Sequence, residues 1–205
     1  MKNHSLRTAR FKAAVLALAA LALAACNPIE NGQQSNSLLV VETLTGSDMT
    51  GNEGNLCQSD VLFTNSQTGV STITADLAKA SLSAQTLAPN PLLGTSQYAD
   101  IQLLKYAVTY LRADGKSTPG VDVPYSFEAG LSGLIRVGQS MSVSFVVVRE
   151  AAKQEPPLLN LRTTTTRGET IEVTARIDFY GKDLSGRAVK ATGYLFITFA
   201  DFANS

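Results

Sequence analysis

The feature that most constrains the fold is a long alternation of apolar and polar residues near the C-terminus. Apolar residues recur at every second position between 171 and 180, and the same period returns between 189 and 199. This is the period of a strand with one buried face. A turn-forming segment, Gly-Lys-Asp-Leu-Ser-Gly, separates the two stretches. A slip of one residue would turn every apolar side chain outwards, so the pattern predicts Phe179 opposite Ala191 and Tyr180 opposite Lys190.

Shorter stretches upstream have the same period or a composition rich in β-branched and aromatic residues. We predict strands at 38–44, 60–64, 70–74, 102–112, 121–127 and 141–149. Within one of them Leu104, Tyr106, Val108 and Tyr110 should share the buried face. The run Phe145–Val148 is apolar at every position, which is typical of a central strand covered on both faces. The Ala and Leu content of 75–87 also suits a helix, but its alternation and its neighbours favour a strand.

About nine short strands with turn signals between them, and no long helix, predict an all-β sandwich over residues 38–205. The layout over about 58–203 resembles the immunoglobulin-like β-sandwiches of bacterial surface and periplasmic lipoproteins. The phrases "RADGKSTPGVDVPY" and "DFYGKDLSGR" resemble an uncharacterised lipoprotein family. The resemblance implies an immunoglobulin-like sandwich of about 7–9 strands and no known activity. The Cys-Trp-Cys core of antibody domains is missing, because the chain has no tryptophan and no suitable cysteine pair.

Residues 1–25 have the layout of a secretory signal peptide. Four basic residues precede an apolar run of about 13 residues, and a membrane-spanning helix needs roughly 20. The segment Leu23-Ala24-Ala25-Cys26 resembles the lipobox of bacterial lipoproteins. In that family the chain is cleaved before the cysteine, which implies that Cys26 is lipidated with palmitate-like acyl chains. The polar stretch 26–37 would then be a flexible tether that holds the domain just clear of the lipid.

The lipobox resemblance also bears on where the protein is found. In enteric bacteria an aspartate directly after the lipidated cysteine tends to retain a lipoprotein at the inner membrane. Asn27 occupies that position here. We therefore expect an exported, periplasmic or surface protein that is anchored to a membrane of the cell envelope, with the outer membrane favoured over the inner one. Two or more acyl chains hold a protein stably on a membrane without spanning it.

The composition after residue 25 excludes several classes of function. This part has 13 basic and 17 acidic residues, a net charge of about −4, which excludes a polybasic nucleic-acid binder. The single histidine, His4, lies in the signal peptide. Without histidine the chain cannot form a Ser-His-Asp or Cys-His nucleophile or a histidine-ligated metal centre. Phosphate-binding and dinucleotide-binding glycine motifs are also missing from the sequence. We therefore expect no cofactor.

Two groups of residues before the main strands have alternative interpretations. If Cys26 is acylated, Cys57 is a lone thiol in an exported protein: either a small buried apolar residue, or a partner in an intermolecular disulfide or redox step. Asp48, Glu53 and Asp60 lie in a Gly- and Asn-rich stretch. Carboxylate and amide oxygens are ligands for calcium, but the spacing does not match a calcium-binding loop, and a solvated loop is the alternative.

The polar face of the C-terminal hairpin is the other candidate site. It carries charged and aromatic side chains together, namely Glu172, Arg176, Asp178, Tyr180, Lys190, Tyr194 and Phe196. Such a mixture suits a contact surface for a partner. Equally, cross-strand pairs of this kind stabilise any sheet without binding anything. The turn at 114–120 has the same two interpretations, as an end loop for recognition or as a plain connection.

Taken together, these patterns predict a membrane-anchored, non-catalytic interaction or structural module of the envelope. Its partners would be the membrane, through the lipid, and an envelope protein, with no nucleic acid involved. One alternative is a protein that binds a small ligand, a glycan or calcium. Another is a hydrolase that uses carboxylates alone, which requires two carboxyl groups roughly 5–9.5 Å apart in a cleft. A long unpaired edge strand would favour a partner that binds by strand addition.

Overall fold

A computed structural model of the chain describes residues 35–48, 51–87, 96–162 and 169–202. This part is mostly β, with almost no helix and several sheets in a sandwich-like arrangement, as the alternation predicted. The predicted signal peptide, the predicted lipidation site Cys26 and the predicted tether up to residue 34 lie outside the described residues. No helix in the described ranges is long and apolar enough to span a membrane.

Eleven strands are present in the described ranges. They are β1 (Ser37–Ser47), β2 (Glu53–Gly54), β3 (Leu56–Asp60), β4 (Phe63–Thr64), β5 (Ser71–Thr72), β6 (Asp76–Thr86), β7 (Ile101–Leu111), β8 (Phe127–Ile135), β9 (Ser140–Val148), β10 (Ile171–Asp183) and β11 (Ala188–Ala200). A helix of one turn, α1, spans Glu150–Lys153, and 3-10 helices span Gln97–Ala99 and Leu158–Arg162. The ambiguous stretch 75–87 is therefore a strand.

The strands form two main sheets and one small one. One main sheet has the order β2-β1-β6-β9 and the other has the order β3-β11-β10-β7-β8, while β4 and β5 pair separately. All pairs are antiparallel except β3 with β11, which is parallel. The chain crosses from one main sheet to the other between β6 and β7, between β8 and β9, and between β9 and β10. The core therefore lies between the two sheets.

The hairpin of β10 and β11 has the predicted register. Phe179 lies opposite Ala191, and Tyr180 lies opposite Lys190. Phe179 is fully buried, as are Ile177 and Phe199 on the same face. Burying each such side chain contributes about 1.5–3 kcal/mol, so this face is a large share of the core and fixes the hairpin in register.

Aromatic contacts join the two sheets through the core. The ring centroids of Tyr106 and Phe145 are 4.9 Å apart, and those of Phe145 and Phe179 are 5.4 Å apart, both edge to face. The Tyr106 hydroxyl donates a hydrogen bond to the Val146 carbonyl (3.0 Å), and the Tyr110 hydroxyl donates one to the Val147 carbonyl (2.7 Å). Each tyrosine of β7 thus packs its ring in the core and satisfies its hydroxyl on β9.

Three predicted strands are displaced or much shorter. The segment predicted at 121–127 is a loop, and the strand β8 starts only at Phe127. Gly130 and Gly133 interrupt the apolar pattern of β8, which is why sequence alternation did not indicate it. The stretch 60–64 is divided, because β3 ends at Asp60 and β4 holds only Phe63 and Thr64. Of 70–74, only Ser71 and Thr72 form a strand.

Two predictions about β7 and β9 are wrong. Leu104 is exposed, because it is the extra residue of a bulge in β7, where the partners of Leu103 and Lys105 in β10 are consecutive residues. A bulge adds one residue and turns the following side chains over, so Leu103 and Tyr106 both face the core. The strand β9 is at the edge of its sheet, not central. The chain after it contributes Ala152 and Leu158 to the core, and we attribute the burial of both Val147 and Val148 to this segment.

The folded part begins slightly earlier than predicted. Ser35 is buried and its hydroxyl donates a hydrogen bond to Asp183 Oδ2 (2.6 Å), while β1 starts at Ser37 rather than at 38. The Ser37 hydroxyl donates to the Ala99 carbonyl (2.6 Å). The last three residues of the predicted tether therefore belong to the domain.

Candidate binding groove

An open groove runs between β1 and β11, where the two main sheets approach each other. Its volume is about 460 Å³. We call it the edge groove. Its lining combines polar, apolar and aromatic side chains: Val41, Glu42, Thr43, Leu44, Thr45, Asn55, Thr192, Gly193, Tyr194 and Phe196.

The groove is open because two strand edges meet there without a strand between them. β1 pairs with β6 on one side, and on the other side β2 reaches only Gly46 and Ser47. β11 pairs with β10 on one side, and on the other side β3 covers only Phe196 to Ala200. Within the described ranges, no strand pairs with the outer edge of 188–195 in β11 or of 37–45 in β1.

The floor of the groove is formed by close packing at Gly193. A Cβ atom added there would lie 3.0 Å from Leu44 Cδ2 and 3.3 Å from Val41 Cγ1. Side chains of β1 therefore contact the backbone of β11 directly, and a larger residue at 193 would separate the two strands.

Aromatic side chains form one wall of the groove. Tyr194 and Phe196 point outwards from β11 and are each 60% exposed. Leu56 lies beside Phe196 in the parallel β3–β11 pair and is also exposed. Large apolar side chains grouped on an open surface indicate contact with a ligand or partner. Sequence analysis predicted Tyr194 and Phe196 on this face, but it did not indicate Leu56, which lacks a clear alternation around it.

Glu42 lies at the rim of the groove and is held by serines. It is the extra residue of a bulge in β1, because Val41 and Thr43 pair with consecutive residues of β6. Its carboxylate accepts hydrogen bonds from the hydroxyls of Ser140 and Ser81, each at 2.9 Å. These hydrogen bonds lower the pKa of Glu42. The carboxylate therefore lies over β6 and β9, on the side of β1 that faces away from β11.

The predicted hairpin surface is a connected ion-pair cluster beside the groove. Arg176 Nε lies 3.2 Å from Asp178 Oδ1, Lys190 Nζ lies 3.1 Å from Asp178 Oδ2, and the Thr192 hydroxyl donates to Oδ1 (2.6 Å). Burial raises the pKa of Asp178, but the hydrogen bonds from Thr192 and Lys190 and the nearby positive charges outweigh it, so the pKa is lowered overall. The structure thus brings Arg176, Asp178 and Lys190 together, and Thr192 connects this cluster to the groove.

Tyr180 lies between two lysines on the same face. Lys105 Nζ and Lys190 Nζ are each 5.2 Å from the centroid of its ring, within the range of cation–π attraction. Lys105 also forms an ion pair with Glu128 at 2.6 Å. The ring of Tyr180 is therefore in contact with side chains of its own sheet, whereas Tyr194 at the groove is more exposed to solvent.

The three residues predicted as calcium ligands, Asp48, Glu53 and Asp60, each interact with different partners. Asp48 accepts hydrogen bonds from the backbone and side-chain nitrogens of Asn52 (2.8 and 3.2 Å), and Glu53 lies 3.6 Å from Lys79 Nζ. Asp60 accepts hydrogen bonds from the backbone nitrogens of Leu62 and Phe202, each at 3.3 Å. Across the described part of the chain, no group of three or more acidic, cysteine or histidine residues is placed to hold a metal ion.

A smaller cavity of about 200 Å³ lies at the opposite end of the sandwich from the β10–β11 turn. Cys57, Asp76 and Lys153 are among its lining residues. Cys57 is a free, buried cysteine, and burial raises the pKa of its thiol to about 12. This favours the interpretation of Cys57 as a small apolar residue, since a reactive cysteine needs an accessible thiolate.

Comparison with known proteins adds little to this description. No family model matches the sequence, and no curated protein matches it. Among solved structures, the chain is similar to Spo0M, a sporulation control protein from Bacillus subtilis, with a TM-score of 0.29 and 10% sequence identity. The match covers 80% of this chain and 50% of that one, so the chain spans about half the length of that structure. A likeness this distant bears on neither activity nor partner.

Proposed function

We propose that this protein is a lipid-anchored, non-catalytic binding module of the bacterial envelope. It would hold an extended segment of an envelope protein along the edge groove. The observation that carries the proposal is the unpaired outer edge of β11 at 188–195, next to the exposed rings of Tyr194 and Phe196. Unpaired strand edges bind extended segments by adding a strand, with side-chain pockets giving specificity.

The β11 edge suits strand addition better than the β1 edge. β1 carries a bulge at Glu42, and a bulge is one of the devices by which proteins block edge pairing. β11 keeps a regular register with β10 along its whole length. A partner strand beside 188–195 would continue the line of β3, which already pairs with the following residues of β11. Its outward side chains would then lie beside Tyr194 and Phe196.

The binding test compares complexes extracted from envelopes. Wild-type protein should migrate on a native gel with its partner, and the Tyr194→Ser/Phe196→Ser variant should migrate alone. Val70→Ser/Val121→Ser removes two exposed apolar side chains elsewhere and is the matched control. Retention of the complex by the groove variant, or its loss from the control as well, would refute the groove as the binding site.

The lipid anchor rests on the lipobox resemblance at Leu23-Ala24-Ala25-Cys26. Growth with a labelled fatty acid should label the wild-type protein and the Cys57→Ala variant, but not Cys26→Ser. Loss of the label from the Cys57→Ala variant alone, or continued labelling of Cys26→Ser, would contradict lipidation at Cys26. Location at the outer membrane follows the Asn27 argument, and fractionation of inner and outer membranes tests it.

A glycan or other small ligand is the second candidate for the same groove. Aromatic rings stand beside the polar side chains of Glu42, Asn55 and Thr192, a mixture common in ligand sites. An envelope oligosaccharide bound there should raise the Tm of the wild-type protein and leave the Tm of Tyr194→Ser unchanged. Such a shift, with no protein partner in the envelope extract, would replace strand addition by ligand binding.

We also propose that the sandwich is immunoglobulin-like, as the resemblance implied. The strand order supports this: β1, β6 and β9 correspond to strands A, B and E of that fold, and β7, β8, β10 and β11 to strands C, C′, F and G. β3, which pairs in parallel with the last strand, takes the place of a split first strand. The exposed edge of β11 is then the edge of strand G.

A further inference from the structure

The chain enters the folded domain at one end of the sandwich. Besides the Ser35–Asp183 hydrogen bond, the Leu87 backbone nitrogen donates to the Asn36 carbonyl (2.8 Å), and the Leu184 nitrogen donates to the Asp100 carbonyl (3.0 Å). The start of β1 thus lies with the end of β6, the start of β7 and the β10–β11 turn. We call this the entry end and define it by 35–38, 85–87, 96–102, 134–139 and 182–188.

The entry end carries exposed apolar side chains from separate elements. They are Leu38, Leu87, Tyr98, Leu134 and Leu184. Tyr98, in the 3-10 helix, is 71% exposed. Tyrosine is enriched where proteins meet the headgroup region of a membrane, because its ring is apolar and its hydroxyl is polar.

The exposed charge of the entry end is basic. Arg136 and Lys182 are exposed, and Arg187 is half-buried in the adjoining turn. Two carboxylates also lie at this end: Asp100 is half-buried and its Oδ1 accepts a hydrogen bond from the Val137 nitrogen (2.9 Å), and Asp183 is buried. The two most exposed charges of this end, Arg136 and Lys182, are therefore both basic.

The opposite end of the sandwich has the opposite charge. Acidic residues there include Asp48, Glu53, Asp60, Asp114, Asp122, Glu150, Glu155, Glu169, Glu172 and Asp201. Fewer basic residues accompany them, namely Lys79, Arg112, Lys116, Arg149, Lys153 and Arg162. The domain therefore has an electrostatic polarity along its strands, with the basic pole where the chain enters.

We propose that the entry end is a membrane-contact surface that rests on the anionic headgroups of a lipid bilayer. The proposal depends on the lipid anchor at Cys26 proposed above. From Cys26 to Ser35 the chain extends at most about 30 Å, so the entry end is the part of the domain held nearest to the bilayer. Attraction between basic residues and anionic lipid acts within a Debye length, about 8 Å.

Contact at the entry end orients the whole domain. The strands run away from the bilayer, the acidic end faces away from it, and the edge groove opens sideways, where another envelope protein has access to it. This differs from the sequence-based expectation that the domain is held clear of the lipid. The negative charge of the bilayer attracts the basic entry end and repels the acidic opposite end.

Distance-dependent quenching tests the orientation. A fluorophore is attached at Leu184→Cys in the acylated protein, reconstituted in vesicles of phosphatidylcholine and phosphatidylglycerol that carry a headgroup quencher. The control fluorophore is at Val121→Cys, 68% exposed and away from the entry end. We expect several-fold stronger quenching at 184 than at 121. Equal quenching at the two positions would overturn the proposal.

Vesicle binding by charge variants of an unacylated chain tests the contact surface independently of acylation at Cys26. The unacylated mature chain, residues 26–205 with Cys26→Ser, should bind anionic vesicles, and Arg136→Gln/Lys182→Gln should weaken that binding about thirtyfold. The matched pair Lys79→Gln/Lys116→Gln should change it little. If the wild-type protein is not acylated, the anchor fails while this assay still tests the surface. If acylation holds but neither charge pair changes binding, the contact surface is wrong and the anchor stands.

Discussion

Lys153 and Asp76 form an ion pair of 2.8 Å across 77 positions of sequence. The Lys153 side chain is only 1% exposed, and it ends the one-turn helix α1, whereas Asp76 begins β6. The pair joins the segment after β9 to the first main sheet. Burial raises the pKa of Asp76, although the ammonium of Lys153 opposes this.

Removing one partner of this pair should lower the free energy of unfolding strongly, whereas replacing both partners with apolar residues should lower it little. A buried charge without its partner costs about 3–5 kcal/mol, but an apolar pair of similar volume is often tolerated. Lys153→Met should therefore lower the free energy of unfolding by about that amount. The Lys153→Met/Asp76→Leu variant should regain most of the loss. Urea unfolding measures both, and a Lys153→Met protein as stable as wild type would refute the buried-pair account.

Two glycines beside β7 should respond in opposite ways to alanine. A Cβ at Gly181 would lie 2.7 Å from the Gln102 carbonyl oxygen, which belongs to the backbone and cannot move freely. Gly181→Ala should cost about 1–3 kcal/mol. Gly130, also in a strand paired with β7, has nothing within 4 Å of an added Cβ. Gly130→Ala should be neutral or stabilise slightly, by about 0.5 kcal/mol. Equal effects of the two changes in thermal unfolding would contradict the described packing.

The Cys57 thiol should be protected in the folded protein. It is buried, and its pKa is raised to about 12. With Cys26 acylated it is the only thiol available, so labelling with a maleimide at pH 7.5 reports on it alone. Labelling should be slow in buffer and rapid in concentrated urea. Equally rapid labelling in both would mean that this end of the sandwich opens readily.

Asp183 should contribute to stability above acid pH. Burial raises its pKa, but hydrogen bonds from Ser185, Ser35 and the Arg187 nitrogen lower it overall. A carboxyl whose pKa is lower in the folded state stabilises the protein above its unfolded pKa, and this contribution is lost as pH falls through the folded value. Asp183→Asn should therefore lower stability at pH 7 by about 1–3 kcal/mol. It should also flatten the loss of stability below pH 3.8.

The control for this pH dependence is Asp122→Asn, in a loop at the opposite end. Its carboxylate accepts one hydrogen bond, from the Thr118 nitrogen at 3.1 Å. Chemical unfolding across the acid range should give nearly the wild-type curve for this variant. If Asp183→Asn also follows the wild-type curve, the connection between the entry of the chain and the β10–β11 turn is weaker than described.

Sequence alternation predicts a strand where one face is buried continuously, and it fails where the backbone departs from a regular pleat. The β10–β11 register follows from unbroken alternation over both strands. Leu104 was placed on the wrong face because a bulge adds a residue that the period of two cannot reveal. β8 was missed because its glycines have no side chain to mark a face.

The candidate site was predictable only in part, for a similar reason. Tyr194 and Phe196 follow from the alternation of β11, but the groove beside them depends on how β1 from the other sheet packs on Gly193. The buried pair of Asp76 and Lys153 depends on a contact between distant segments. Nothing local distinguishes Lys153 from an exposed helical lysine, so only the fold reveals it.

The central claim is that a partner binds along the edge of β11, and position-specific cross-linking in intact envelopes tests it most directly. A photoreactive amino acid is placed at Tyr194 or, as a control, at Ser132, an exposed residue of β8 at the opposite edge of the same sheet. We predict one prominent cross-linked protein from position 194 and none from position 132. Cross-links of equal yield from both positions, or none from 194, would contradict binding at the edge groove.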